Sequence, residues 1–337
     1  MKIYLESGYV NIGGILAEGY PFNFIDGGRG TGKTYGALKT AREEERKFTL
    51  LRRTETQVEL ITNPKFSIFK PLNADLGWNV YPIKIGPKSR GFAEGPEDDP
   101  TIIGYTAALS TLSNMRGFDA SDVDLIIFDE FIPEKHERPI KHEADALWNA
   151  YETINRNREL KGMQPVQLLC LANANDISNP VYESLNLIRI ADKMEKRGQE
   201  RWTDDRRGIQ LIRLRHSAIS QKKSGTALYK LTEGSEYSRM AIENSFNVDR
   251  QHIRPRPLAE YLPVCRIGEL CIYRHKSEPR LYCSTHQSGV FNKKYGTGDT
   301  EKIYYRRVFC VHWEMYIGNQ IDFEDVLAEK LFLHYWE

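Results

Sequence analysis

Residues 22–35 read FNFIDGGRGTGKTY, an apolar run that ends in a glycine-rich turn and passes into residues suited to a helix. The turn satisfies G-x-x-x-x-G-K-[ST] in full: Gly27, then Gly28, Arg29, Gly30 and Thr31, then Gly32, Lys33 and Thr34. Small residues let successive backbone N–H groups curl around a phosphate, and the following helix points its positive end at the same place. Lys33 adds a mobile cation for the outer phosphates, and Thr34 a hydroxyl for Mg²⁺. The bland reading is a glycine turn that binds nothing; a complete match between a strand and a helix argues against it. A dinucleotide fingerprint begun at Gly28 fits worse, because it demands glycine where Lys33 stands.

Working outward, residues 33–47 predict a helix with Ala37, Leu38 and Ala41 inside, and residues 48–53 (FTLLRR) a second strand. Strand, phosphate loop, helix and strand form a βαβ unit, which places the chain in the α/β class with a parallel sheet covered by helices. Arg52 and Arg53 end the second strand, where they either face the ligand crevice or are simply solvated. Residues 78–84 and 88–93 alternate like a hairpin, and 101–112 give a further strand and turn.

Residues 123–131 (VDLIIFDEF) are the second sharp signal. Their unbroken apolar core suits a strand buried on both faces. It ends in Asp129, placed to serve Mg²⁺, and Glu130, placed to orient the attacking water. The bland alternative is a strand ending in two solvated acids. Residues 139–160 predict a helix that ends Asn155-Arg156-Asn157-Arg158. Residues 166–172 (VQLLCLA) predict a buried strand whose tip, Asn173, can sense a γ-phosphate beside Asp129. The GTP base-reading motif N-K-x-D fails, since Ala174 replaces its lysine.

The chain has 337 residues, 40% hydrophobic and 28% charged, with net charge +1. That suits about two globular domains. No apolar run approaches membrane-spanning length, and residues 1–14 lack the pattern of a signal peptide. Cytoplasmic residence is therefore expected, and five cysteines with no CxxC pair suit reduced thiols. Residues 1–20 read as a polar cover for the nucleotide base. Charge is uneven: residues 189–223 hold eleven Lys/Arg against five Asp/Glu. Arg206, Arg207, Lys222 and Lys223 are therefore candidate nucleic-acid contacts, against the bland reading of solvated faces.

Beyond residue 191 the element order loosens, and residues 193–240 read as a basic linker subdomain. Residues 265–274, 280–285 and 302–312 read as strands, and 323–336 as a closing helix. Cys283 and His286 have the spacing of a zinc pair, but no second pair matches it. A two-metal nuclease needs several converging carboxylates. Only Glu269 falls within these strands, while Asp322 falls in a turn or the last helix. The region therefore reads as a noncatalytic nucleic-acid or docking module.

Together, GGRGTGKT, FTLLRR, LIIFDEF, NRNRE, LCLANANDISNP and YKLTEGSEYSRMAIENSF resemble the DNA-packaging ATPases of small tailed phages, the phi-29-like group. The likeness spans roughly the first three quarters of the chain. It implies a RecA-like (ASCE) P-loop ATPase domain over residues 1–192, the linker, and a degenerate RNase H-like domain over residues 241–337. It implies ATP and Mg²⁺ as cofactors, and a homopentameric ring joined to the portal and procapsid through prohead RNA. That ring would drive double-stranded DNA into the viral prohead in the host cytoplasm. By position, Lys33 and Thr34 bind nucleotide and Mg²⁺, Asp129 serves Mg²⁺ and Glu130 positions water. Arg156 matches the trans-acting arginine finger, with Arg158 as runner-up, and Arg116 falls where relatives place a basic residue near a neighbour's nucleotide. Glu55 departs from the lysine of a relative. The alternatives are a helicase loader or AAA+ remodeller, and a non-enzymatic nucleotide-gated scaffold.

Overall fold

The computed structural model describes residues 1–86, 89–111, 120–133, 137, 140–173, 177–215, 217–235, 238 and 252–336. They fall into two compact units: Met1–Ser184 with Met194–Asn247, and Leu185–Lys193 with Val248–Glu337. The first unit holds strands β1 (Phe22–Gly27), β2 (Phe48–Arg52), β3 (Tyr81–Lys84), β4 (Arg90–Glu94), β5 (Thr101–Ala108), β6 (Leu125–Asp129), β7 (Gln167–Asn173), β8 (Arg201–Asp204) and β9 (Ile209–Leu214). Its helices are α1 (Ile12–Leu16), α2 (Lys33–Glu43), α3 (Glu55–Ile61), α4 (Lys70–Leu76), α5 (Glu143–Asn155) and α6 (Pro180–Ser184). After α7 (Ile188–Arg197), which crosses the division between units, come α8 (Ala218–Lys223) and α9 (Ala227–Leu231).

The nine strands form one mixed sheet in the order β3-β4-β5-β2-β6-β7-β1-β9-β8. From β5 to β9 all pairs are parallel, and the outer β3, β4 and β8 run antiparallel. This is the α/β architecture that the βαβ unit predicts, and β3 and β4 pair antiparallel as the expected hairpin. Every residue of β2, β6 and β9 is buried. Strands buried on both faces have no solvated side, so LIIFD reads as an unbroken apolar run up to its acid, and FTLLR as a largely apolar run ended by Arg52. Helix α2 turns Ala37, Leu38 and Ala41 onto a core that includes Ile25, Leu50, Ile127 and Leu169.

Two readings change. Residues 1–20 are not only a polar cover: Val10, Ile12, Ile15 and Leu16 enter the same core. Residues 201–214, taken from sequence as loosely ordered and basic, supply β8 and β9. Ile209, Leu211, Ile212 and Leu214 are buried there. A charge count averaged over the stretch hides that strand, because its one interior cation, Arg213, has acidic partners in buried Asp26 and half-buried Glu195.

In the second unit, β10 (Tyr261–Ile267), β11 (Leu270–His275), β12 (Leu281–Ser284), β13 (Lys294–Tyr295) and β14 (Ile321–Phe323) form a sheet ordered β13-β10-β11-β12-β14. Its helices are α10 (Asp299–Val308), α11 (Cys310–Ile317) and α12 (Val326–His334). The single strand expected over residues 265–274 is a hairpin. Gly268, at φ 54°, and Glu269 make its turn, with Ile267 facing Leu270. Glu269 is thus a turn residue, and Asp322 is the carboxylate on a strand. The strand expected over residues 302–312 is helical, in α10 and α11. Its tyrosines and valine suit a strand by propensity, but Tyr305, Phe309 and His312 are buried at i, i+4 and i+7, the helical period. Cys265, Cys271 and Cys283 are buried free thiols within strands. Among the described residues no helix is long and apolar enough to cross a membrane.

Burial pushes His312 down to about 4; its ring lies on Phe309 and its Nδ1 meets the Tyr305 hydroxyl at 3.2 Å. The unfolded chain takes up a proton at about pH 6.5 that the folded unit refuses until about pH 4. Stability of this unit should therefore fall as pH drops through that window, by roughly 2–3 kcal/mol. Hydrogen exchange across residues 299–317 at pH 7 and pH 4.5 would register it. His312→Gln should remove most of the slope.

Candidate active site

The carboxyl edge of the sheet brings the two sharp motifs together. The loop after β1 bends through Gly30 and Gly32, at φ 73° and 85°, left-handed conformations in which glycine carries no Cβ penalty. Lys33 opens α2 and is only 7% exposed. Its Nζ donates to the Gly27 and Gly28 carbonyls at 2.8 and 2.9 Å, and reaches Asn173 Oδ1 at 3.5 Å. Burial pushes this ammonium down to about 8. Its hydrogen bonds go to neutral oxygens, and the carboxylates that favour the ammonium, Asp129 and Asp26, only partly offset the cost of its burial. A phosphate fits that deficit.

Thr34 donates its hydroxyl to Asp129 Oδ2 at 2.9 Å. A hydroxyl and a carboxylate side by side are the hard oxygen donors that suit Mg²⁺. Strand β7 lies between β1 and β6, and its tip carries Asn173 into the space between Lys33 and Asp129. Glu130 follows β6 with a left-handed backbone, φ 61°. That turns the chain so that two successive acids end on one cation: Arg52 meets Asp129 Oδ2 and Glu130 Oε2, each at 2.7 Å.

Arg52 and Arg53, left open between crevice and solvent, are not solvated strand ends. Arg52 is 8% exposed and holds both acids of the site, and Arg53 is 1% exposed. Arg53 clasps Glu143 at the start of α5 through two bonds of 2.7 and 3.0 Å, and Glu137 at 2.9 Å. These contacts tie β2 to the segment that follows Glu130.

Beneath the loop lies a network the sequence did not disclose. Asp26 is buried, which pushes its carboxyl up, and Arg213 opposes that shift. It accepts from the Tyr182 hydroxyl at 2.8 Å, and Arg213 Nε lies 3.5 Å away. Glu195 binds both Arg213 and Arg215 at 2.9 Å. The register of β1 on β9 sets Asp26 opposite Arg213, so no local motif marks the pair.

Other candidates lie elsewhere. Arg156 is exposed at the end of α5, where it and Asn157 have φ of 44° and 58°. This end lies at the amino edge of the sheet: Asn155 Oδ1 accepts from Val166 N, just before β7, at 2.9 Å. Arg158 donates to the Ser121 and Val123 carbonyls at 2.9 and 2.6 Å, so it holds its own chain's backbone. Arg116 lies outside the described residues. The four basic candidates divide. Arg206 and Arg207 sit in the β8–β9 turn, whose Gly208 carbonyl accepts from Phe22 N at the start of β1. Lys222 and Lys223 end α8, and Lys223 lies at the phosphate loop at the end of β1.

A family model described as podovirus DNA encapsidation protein (Gp16) matches residues 5–257. The DNA packaging protein of Bacillus phage phi29 is 28% identical over 235 residues, covering 68% of this chain and 63% of that protein. The DNA packaging protein of Bacillus phage B103 is 27% identical over 230 residues, covering 66% and 64%. The chain thus spans less than two thirds of the length of these relatives. Among solved structures, a chain of the bacteriophage Phi-29 viral genome packaging motor assembly superposes with a TM-score of 0.66 at 20% identity, over 97% of this chain and 99% of that one. The Phi-28 gp11 DNA packaging motor gives 0.60 at 17%, over 95% of each chain. These likenesses establish the fold.

Proposed function

The chain belongs to the podovirus DNA encapsidation protein (Gp16) family, and on that premise we propose that it is an ATP-driven motor that moves double-stranded viral DNA into a procapsid. One observation carries the ATPase part: the Thr34 hydroxyl rests on Asp129 at 2.9 Å, which joins the phosphate loop to the acid pair at one point. Gly27 to Gly32 present backbone N–H groups, Lys33 faces the outer phosphates, and Asn173 stands between Lys33 and Asp129. Mg²⁺, held by Thr34 and Asp129, would neutralise charge that develops on the phosphates. Glu130, once free of Arg52, orients and deprotonates water, and Arg156 of a neighbouring subunit supplies the finger.

The strand between β1 and β6 supports a RecA-like (ASCE) ATPase domain, and because β8 and β9 extend its sheet through Leu214, that domain runs past residue 192 and takes in part of the stretch 193–240 read as linker. An RNase H-like domain over residues 241–337 is read as noncatalytic. Asp322, on its strand, is taken up by Arg254, Arg256 and Arg280 at 3.4, 2.9 and 3.3 Å, which opposes a metal-binding role. A pentameric ring on the prohead, joined to the portal through prohead RNA in the host cytoplasm, completes the reading.

Steady-state phosphate release with and without duplex DNA tests it, and stimulation by DNA of any sequence is expected. Neutralising Arg206, Arg207 and Lys222 should weaken duplex binding uniformly and flatten its salt dependence. An unchanged salt slope assigns these residues to solvated faces. ATP turnover indifferent to DNA favours a remodeller, and no turnover favours a nucleotide-gated scaffold.

A further inference from the structure

Lys223 is set apart from the rest of the basic stretch by where its ammonium goes. Helix α8 follows β9 at the carboxyl edge, and the Lys223 ammonium turns inward to donate to the Arg29 carbonyl. It stands over Gly30, where an added Cβ would overlap it. The segment is anchored: Ser217 Oγ donates to the Gly8 carbonyl at 3.0 Å and accepts from Ile219 N at 3.2 Å. A Cβ at Gly8 would lie 2.9 Å from that of Ala218. The same amino-terminal segment grips the loop, with Val10 N on the Thr31 carbonyl at 3.0 Å and Tyr9 packed on Gly32. A lysine that grips DNA needs its head on an outward face; this one is directed at the phosphate loop.

Charge gives the reason. The Lys33 and Lys223 ammoniums both rest on carbonyls of the one loop that also carries Arg29. The positive end of α2 adds to them. We propose that Lys223 is a second phosphate-binding cation of the nucleotide site, which exchanges the Arg29 carbonyl for a phosphate oxygen when nucleotide enters. The exchange is favourable because the ammonium gives up a neutral acceptor for an anionic one, which adds Coulomb attraction at a site crowded with positive charge. This makes α8 the element after the sheet that detects nucleotide directly. The inference rests on the ATP-site reading above and assigns Lys223 to the nucleotide rather than to DNA.

The test is equilibrium binding of ATP, ADP and AMP by calorimetry on the full chain, with hydrolysis blocked by Glu130→Gln. In that background Lys223→Ala should weaken ATP by about 10- to 100-fold, the scale of one charged hydrogen bond. AMP, which lacks the outer phosphates, should be unaffected. Lys223→Arg should restore most of the loss, which excludes misfolding as its cause, and Lys230→Ala on α9 should bind as the parent does. Unchanged ATP affinity in Lys223→Ala, while Lys33→Ala loses binding, overturns the inference and leaves the ATP site standing. Weakened duplex binding with unchanged ATP affinity returns Lys223 to DNA and also overturns it. Parent-like ATP binding by Lys33→Ala would overturn the ATP site itself, and this inference with it.

Discussion

Arg156→Ala subunits should bind ATP normally yet turn it over roughly 10³-fold more slowly, the effect of losing a guanidinium finger from the transferring phosphate. Mixing them with Lys33→Ala subunits should restore part of the activity. The fold makes this a demand. Arg156 ends α5 at the amino edge of the sheet, where Asn155 and Arg158 hold the chain just before β7 and β6. The phosphate loop is at the carboxyl edge. Strand β7 has seven residues, so the edges lie roughly 20 Å apart, farther than an arginine side chain reaches. The Arg156 of one chain cannot serve that chain's own pocket. Its backbone supports an outward role: two consecutive left-handed residues, Arg156 and Asn157, stop the helix and expose the side chain. In mixed rings an Arg156→Ala subunit keeps an intact pocket and a Lys33→Ala subunit keeps its finger. No recovery, in rings shown to be mixed, would reduce Arg156 to a structural role at the end of α5. Arg158→Ala should act mainly on stability, because that guanidinium holds two backbone carbonyls.

The second large effect is expected at Glu130. Glu130→Gln should lower turnover by roughly 10²-fold or more, as loss of a general base or water-positioning group predicts, while ATP still binds. Asp129→Asn should in addition weaken Mg²⁺-dependent binding, because Asp129 shares the Thr34 hydroxyl. The two acids are adjacent in sequence but differ in surroundings: Asp129 is nearly closed off, and the Glu130 side chain is 44% exposed. One can sit against a metal while the other faces water. Arg52 joins them, so freeing Glu130 costs an ion pair of 2.7 Å, and activity depends on what draws Arg52 away. Nucleotide binding and phosphate release measured separately would resolve the two substitutions. Parent-like turnover by Glu130→Gln would remove the general-base role.

How much of this was legible beforehand depends on how local each signal is. The phosphate loop and the Asp129-Glu130 strand were legible because their chemistry is written in consecutive residues, and a strand buried on both faces leaves an apolar run that ends at its acids. Asn173 followed from the same logic, as the polar tip of another such run. Helices α10 and α11 read as strand from composition because tyrosine and valine favour strands in general, while the burial of Tyr305, Phe309 and His312 on one face decides the period in this chain.

The α/β class, the parallel sheet around the phosphate loop, and the residues assigned to nucleotide and metal in the proposed site are readable from consecutive residues. Each of these depends on spacing within one short segment. Folding in three dimensions set that Arg52 holds both acids, that Arg213 lies under the loop against Asp26, and that Arg206 and Lys223 stand at opposite edges of the sheet. It also decided that Arg156 is out of reach of its own pocket. The physical reason is strand register: β9 returns to pair with β1 from nearly two hundred residues away, and the pairing of distant strands, rather than any local pattern, sets which charges meet.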